Sequence, residues 1–269
     1  MAGRDAEFEA ALQAMEASFH VRLIGTFESD LVCAPAEADA TAWLAISNPD
    51  FDQFPVKQGD ATVGILLRQG DHTAKTVRDA MQPLREGLII SADMPIANLI
   101  PQLRESHYRL VLRGGRIDGL VTQSDLLKLP VRLVVFALLT HLEQVMTDVV
   151  SVHWPNDSWV AKLSEGRQTN LVNKEAKLRD RGMNLVKLEL TEFGDKRDLC
   201  KRLLEHGKSK FEKELDSLRD LRDQLAHAAT FVDGSDGKTG VAAFVDKFES
   251  AKRWIDELTK LAANGTTTK

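Results

Sequence analysis

Residues 119–125 read Gly119-Leu120-Val121-Thr122-Gln123-Ser124-Asp125, an apolar run that ends in a hydroxyl and, three residues on, a carboxylate. A strand that stops at Thr122 and gives way to a short helix over 124–128 places Thr122 and Asp125 at the start of that helix. Backbone N–H groups at such an end attract phosphate, a threonine hydroxyl can donate to it, and a carboxylate can accept from two ribose hydroxyls. The same two residues also suit a plain helix cap, in which case they carry no ligand chemistry.

Working outward, the stretch has an earlier counterpart. Leu44, Val56, Gly59 and Gly64 recur at a constant offset of 55 as Leu99, Val111, Gly114 and Gly119. Each copy reads as a short strand, a helix, two strands around a glycine turn, and a second helix. The first copy places these at 31–33, 37–47, 53–57 and 61–67, and the second at 88–90, 95–105, 108–113 and 116–121. Asp93 stands where a helix N-cap is expected, and Gly114-Gly115 between apolar runs is a hairpin-turn signal. A twofold repeat of this kind predicts a pseudo-symmetric α/β pair in which each copy covers the other's sheet. Ahead of it, Phe8, Leu12, Met15 and Phe19 are spaced for a helix over 5–20.

Past Pro130 the pattern becomes almost purely helical. Residues 131–151 are apolar nearly all round, which predicts burial in a bundle or a subunit interface. A break at His153-Trp154-Pro155-Asn156-Asp157 precedes helices expected over 168–182, 191–206, 209–229 and 240–262, with Ser209 and Glu212 spaced as a capping box. The fold class is α+β: an N-terminal helix (1–24), a tandem α/β pair (25–130), an all-α bundle (131–263) and a polar tail (264–269).

A chain of 269 residues with 43% hydrophobic side chains has material for two cores. No run of eighteen apolar residues is free of charge, so no membrane partner is expected. The acidic first twenty residues lack the chemistry of a secretory signal. Cys33 and Cys200 stand far apart in no metal-ligand spacing, which suits a reducing cytoplasm and predicts no metal site. Residues 1–130 hold 12 basic against 18 acidic side chains, and residues 131–269 hold 23 against 22. The second half is too nearly neutral to advertise nucleic-acid binding.

Two resemblances follow from these residues. The tandem units ending Gly-apolar-apolar-Thr-x-x-Asp resemble the CBS (Bateman) module over roughly 25–130, and the segment Thr76-Val77-Arg78-Asp79-Ala80-Met81-Gln82-Pro83-Leu84 is similar to the stretch that often precedes a strand of that module. The likeness implies an adenosine-containing ligand such as AMP, ATP or S-adenosylmethionine, with Thr122 on phosphate and Asp125 on ribose. The first copy departs from the pattern, with Leu67 in place of the threonine, Gly70 in place of the aspartate, and Asp71 one residue late. One competent cleft is therefore expected at most.

The 209–229 helix carries Phe211, Leu215, Leu218, Leu221 and Leu225 as an apolar stripe, and Arg222 falls within it. A guanidinium there needs either a buried carboxylate, for which Glu143 is a candidate, or a polar cleft. Asp223 and His227, four residues apart, can meet on the helix surface; equally, His227 is an exposed residue near a helix end. The run Arg222-Asp223-Gln224-Leu225-Ala226-His227, with Phe193-Gly194-Asp195-Lys196 upstream, resembles the HEPN family over roughly 131–262. That likeness implies a homodimeric, metal-independent endoribonuclease of toxin or defence type. His227 would move the proton, Arg222 would steady the phosphoryl charge, Asp223 would orient the imidazole, and the 2′-hydroxyl of an RNA substrate would attack. Some members of that family lack activity and dock RNA or a partner instead, so a ligand-sensing scaffold is the alternative function. Arg167, Lys174, Lys177, Arg179, Arg181 and Lys187 suit an RNA backbone or an ordinary solvated face.

Overall fold

A computed structural model describes Ala10, Ala14 and residues 17–27, 30–70, 74–183, 185–227 and 240–266. The chain divides into two compact units, Glu9–Val134 and Val135–Lys269. The helix expected over 5–20 lies almost wholly outside the described residues.

The first unit holds two four-stranded sheets. β2 (Ala34–Pro35), β3 (Gln53–Gln58) and β4 (Ala61–Leu67) lie beside β5 (Gln82–Pro83), in the order β2-β3-β4-β5. The second sheet runs β1-β8-β7-β6, from β1 (Thr26–Phe27), β8 (Arg116–Thr122), β7 (Tyr108–Arg113) and β6 (Ile89–Ser91). Helix α1 (Ala40–Ile46) is capped by Asp39, which accepts from the Ala42 N–H at 2.8 Å. The short α2 (Val77–Ala80) precedes β5, and α3 (Ile96–Leu99) continues as a 3-10 turn to Leu103. The repeat holds down to irregularities: the β3–β4 ladder slips between Val56 and Lys57, and the β7–β8 ladder slips between Val111 and Leu112. The hairpin turns use Gly59 and Gly114-Gly115, all with positive φ, as such turns require.

The repeats exchange their leading segments. Val21 and Arg22 donate their N–H groups to the carbonyls of Met94 and Ala92 in the second copy. Val77 and Arg78 do the same to Ala38 and Ala36 in the first. Each arginine then meets an acid, Arg22 with Asp93 and Arg78 with Glu37. β1 pairs antiparallel with β8 at Gly119, and β5 pairs with β4 at Gly64. Both glycines serve close approach: a Cβ on Gly119 would lie 2.4 Å from the Phe27 ring, and one on Gly64 would lie 2.5 Å from the Gln82 carbonyl. The expected cap role of Asp93 is thereby corrected, because Pro95 holds the N-cap position of α3 and Asp93 is the partner of Arg22.

Ile65 from β4 packs with Tyr108, Leu110 and Leu120 of the other sheet. The Thr62 hydroxyl donates to the Ile117 carbonyl at 2.7 Å. Each copy therefore closes the other's apolar face, as its pattern predicts.

Helix α4 (Leu129–His153) is long and apolar enough by length and composition to cross a membrane, and 56% of its most apolar window is buried inside the protein, as in the core helix of a soluble protein. The second unit adds α5 (Glu165–Arg179), α6 (Phe193–Leu203), α7 (Lys208–Ala226) and α8 (Gly240–Thr266). Phe211, Leu215, Leu218, Leu221 and Leu225 of α7 are all buried, with Phe211 edge-on to Trp254 of α8. The Trp254 indole donates to Glu214 at 2.8 Å, so its one polar group is satisfied. The capping box expected from Ser209 and Glu212 is not formed. Gly207, at φ 70°, precedes the helix instead, and Glu212 pairs with Lys201.

Candidate functional site

β8 ends at Thr122, and residues Gln123–Leu127 form a 3-10 turn rather than a regular helix. The Asp125 carboxylate turns back on the strand end. One oxygen accepts from the Thr122 N–H at 2.6 Å and lies 3.2 Å from its hydroxyl. The other oxygen pairs with Lys128 at 2.7 Å. Lys128 also donates to the Ile24 carbonyl. Asp125 is buried, 7% exposed, and caps the turn. A carboxylate offers about four lone-pair sites, and three contacts leave room for a hydroxyl from outside. Of the N–H groups at this end, that of Thr122 goes to Asp125 and that of Gln123 donates to the His107 carbonyl at 3.1 Å.

Thr122 and Asp125 form one wall of a cavity of about 400 Å³. Leu31, Val32, Phe51 and Leu120 supply its apolar surface, with Gln53, His107, Gln123 and Ser124 at its polar edge. The His107 ring lies 3.1 Å from the Gln123 side-chain oxygen, and Gln123 in turn donates to the Leu103 carbonyl. Asp30, Asp50 and Asp52 complete the rim, a set that sequence reasoning did not single out because they belong to loops outside the repeated motif. The loop carrying Asp50 and Asp52 is pinned by Arg68, whose guanidinium donates to the carbonyls of Leu44, Asn48 and Phe51 and to the Ser47 hydroxyl.

The first copy differs chemically where the sequence departs. Leu67, at the position of Thr122, packs against the cluster of Ile65, Tyr108, Leu110 and Leu120, beside Leu31, Leu84 and Leu88. An apolar side chain there offers no donor to a ligand.

In the helical unit, Arg222 meets Glu143 at 2.6 Å, and the other oxygen of Glu143 accepts from Lys196 at 2.8 Å. Lys196 is buried, and the Arg222 guanidinium lies 5.3 Å from the centre of the Phe193 ring. Of the two readings open in the sequence, the carboxylate partner is the one observed. Asp223 lies 3.4 Å from the Arg222 guanidinium. His227 is exposed at the C-cap of α7. A regular helix carries it about 140° around and ~7.5 Å along from Arg222.

The basic region is largely neutralised from within. Arg167 pairs with Glu192 and Asp195, Lys174 with Glu192, Arg179 with Glu175, and Lys187 with Asp157 and Glu175. The hydrogen bond from Arg167 holds the Glu192 carboxyl below its ordinary value. Burial pushes the Cys200 thiol far above the usual thiol range. Among the described residues, no three His, Cys, Asp or Glu side chains are arranged to hold a metal ion.

No family model matches the chain, and no curated protein does. Among solved structures, the CBS domain of a bacterial CNNM/CorC family Mg2+ transporter in complex with ATP is 23% identical, with 45% of this chain and 92% of that one covered and a TM-score of 0.36. The CBS-pair protein CBSX2 from Arabidopsis thaliana is 14% identical over 43% of this chain and 96% of its own, with a TM-score of 0.37. The CBS domains of a transcriptional regulator from Streptococcus pneumoniae are 16% identical over 40% and 95%, with a TM-score of 0.35.

Proposed function

We propose that the N-terminal unit is a CBS-type sensor that binds one adenosine-containing ligand per chain, and that the helical unit is a scaffold that receives the signal rather than an enzyme. The observation that carries this reading is the wall of the cavity, where Asp125 and Thr122 stand together at the end of β8. About 400 Å³ suits a nucleoside, since small-molecule sites run from roughly 300 to 1,000 Å³. The apolar surface suits a base, and the carboxylate suits a ribose diol. The leucine at position 67 leaves one such wall per chain.

For the helical unit, the ion-pair network supports the scaffold reading. Arg222 spends part of its fork on Glu143, whose other oxygen holds Lys196, a pairing that suits packing between helices. A homodimer, an RNA substrate and the endoribonuclease step remain with the HEPN resemblance, and the paired basic region adds no support to them.

Calorimetric titration of the full chain with adenosine and with AMP tests the sensor reading. One site per chain is expected, weakened at least tenfold by Asp125→Asn, which keeps an acceptor for Thr122. Unchanged affinity in that variant, or two equal sites, contradicts the assignment.

A further inference from the structure

Four carboxylates line the cavity, Asp30, Asp50, Asp52 and Asp125, and among the described residues the lining contains no lysine or arginine. Among the described residues, only Asp125 of these four has an ion-pair partner, Lys128. Asp30, Asp50 and Asp52 are exposed and make no ion pair among the described residues. Several donors at the strand end are also committed. The Thr122 N–H goes to Asp125, the Gln123 N–H goes to the His107 carbonyl, and Lys128 is shared between Asp125 and the Ile24 carbonyl. The turn at Gln123–Leu127 is too short to supply a helix field. Among the described residues the rim acids do not converge as a metal-holding group.

We propose that this cleft selects an adenosine-type ligand whose 5′ end is neutral or cationic, and that it turns polyphosphate away. The inference rests on the sensor reading above and sharpens it. Base and ribose find an apolar surface, Thr122 and Asp125, whereas whatever extends from the ribose meets the field of Asp30, Asp50 and Asp52. Two unit charges about 6 Å apart in a partly solvated cleft change an affinity by about tenfold, and salt screens the effect over roughly 10 Å at 0.1 M. A triphosphate tail meets this field several times over. A sulfonium centre beside the ribose is attracted by it.

The test is isothermal titration of the full chain with adenosine, AMP, ATP and S-adenosylmethionine, all in EDTA at low salt. S-adenosylmethionine is expected to bind at least as well as adenosine, AMP more weakly, and ATP at least tenfold more weakly than adenosine. Raising the salt to 0.5 M should narrow the gap between adenosine and ATP severalfold. The double variant Asp50→Asn/Asp52→Asn, both positions being exposed, should narrow the same gap at least threefold. ATP binding as tightly as adenosine overturns the charge selection and leaves the sensor reading standing, as does a gap that neither salt nor the variant moves. Failure of all four compounds to bind overturns both.

Discussion

The Asp125 carboxylate holds Lys128 at 2.7 Å on one oxygen and accepts the Thr122 N–H at 2.6 Å on the other. Lys128 is the residue immediately before α4. The group assigned to the ribose thus also ties the end of β8 to the residue that precedes α4. Ligand binding and local stability are two separable properties of one side chain.

That separation can be measured. Removing the cap leaves a buried N–H unsatisfied, at about 1–3 kcal/mol, so Asp125→Ala should lower the unfolding free energy by that much. Asp125→Asn should lose less than about 1 kcal/mol, because its oxygen still accepts from Thr122. Denaturant titration of the two variants reads the difference, and equal losses would mean that the Lys128 pair, not the cap, supplies the stability.

Glu143 stands between two cations in the helical unit. Glu143→Gln leaves Lys196, 8% exposed, beside Arg222 without a counter-charge. The expected cost is about 2–4 kcal/mol. Arg222→Met should cost less, because Lys196 keeps its partner and the unbranched apolar chain still covers part of Phe193. Cys200 gives an independent readout. It is fully buried and its thiolate is disfavoured, so it should react with a thiol reagent only on opening, and faster in Glu143→Gln. Half-buried Cys33 should react first in both proteins. Unaltered Cys200 labelling in the variant would show that the network contributes little.

The motif glycines carry the exchange of leading strands. Gly119→Ala forces a methyl against the Phe27 ring and Val111, and Gly64→Ala forces one against the Gln82 carbonyl and Met81. Overpacking of this kind costs about 1–3 kcal/mol, and thermal unfolding should show both losses. Gly166→Ala is the control, since a Cβ there meets nothing within 4 Å. A stable Gly119→Ala protein would require the β1–β8 pairing to be looser than its register implies.

RNA incubated in EDTA with the purified chain separates scaffold from ribonuclease. Wild type, Arg222→Ala and His227→Ala are expected to leave it equally intact. Cleavage by wild type that both substitutions abolish would assign Arg222 and His227 the catalytic roles implied by the HEPN resemblance.

The sequence was most legible where a local rule had no rival. β4 spans the residues its alternation predicts, β7 likewise, and the Gly114-Gly115 turn sits where two positive φ values are needed. The apolar stripe of α7 is buried throughout because its spacing leaves no other face to cover. Exchange of the leading segments was not legible. Val21-Arg22 and Val77-Arg78 are too short to show a period, and each finds its hydrogen bonds in the other repeat. Their signal was the recurrence of the pair itself, with an acid available to each arginine. The Asp93 cap and the Ser209 box failed for one reason: a side chain suited to a local cap found a distant or competing partner, as Asp93 did in Arg22 and Glu212 did in Lys201. The Thr122–Asp125 pairing followed from its spacing, whereas the acidic rim depended on loops brought together only by folding.

The most direct test of the sensor is an amide chemical-shift titration of the isotopically labelled full chain with adenosine. The account predicts saturable shifts centred on Thr122–Asp125, Leu31–Val32, Gln53 and His107, with the first copy's Leu67 side unaffected. Shifts that are absent at millimolar adenosine, or centred elsewhere in the chain, would contradict it.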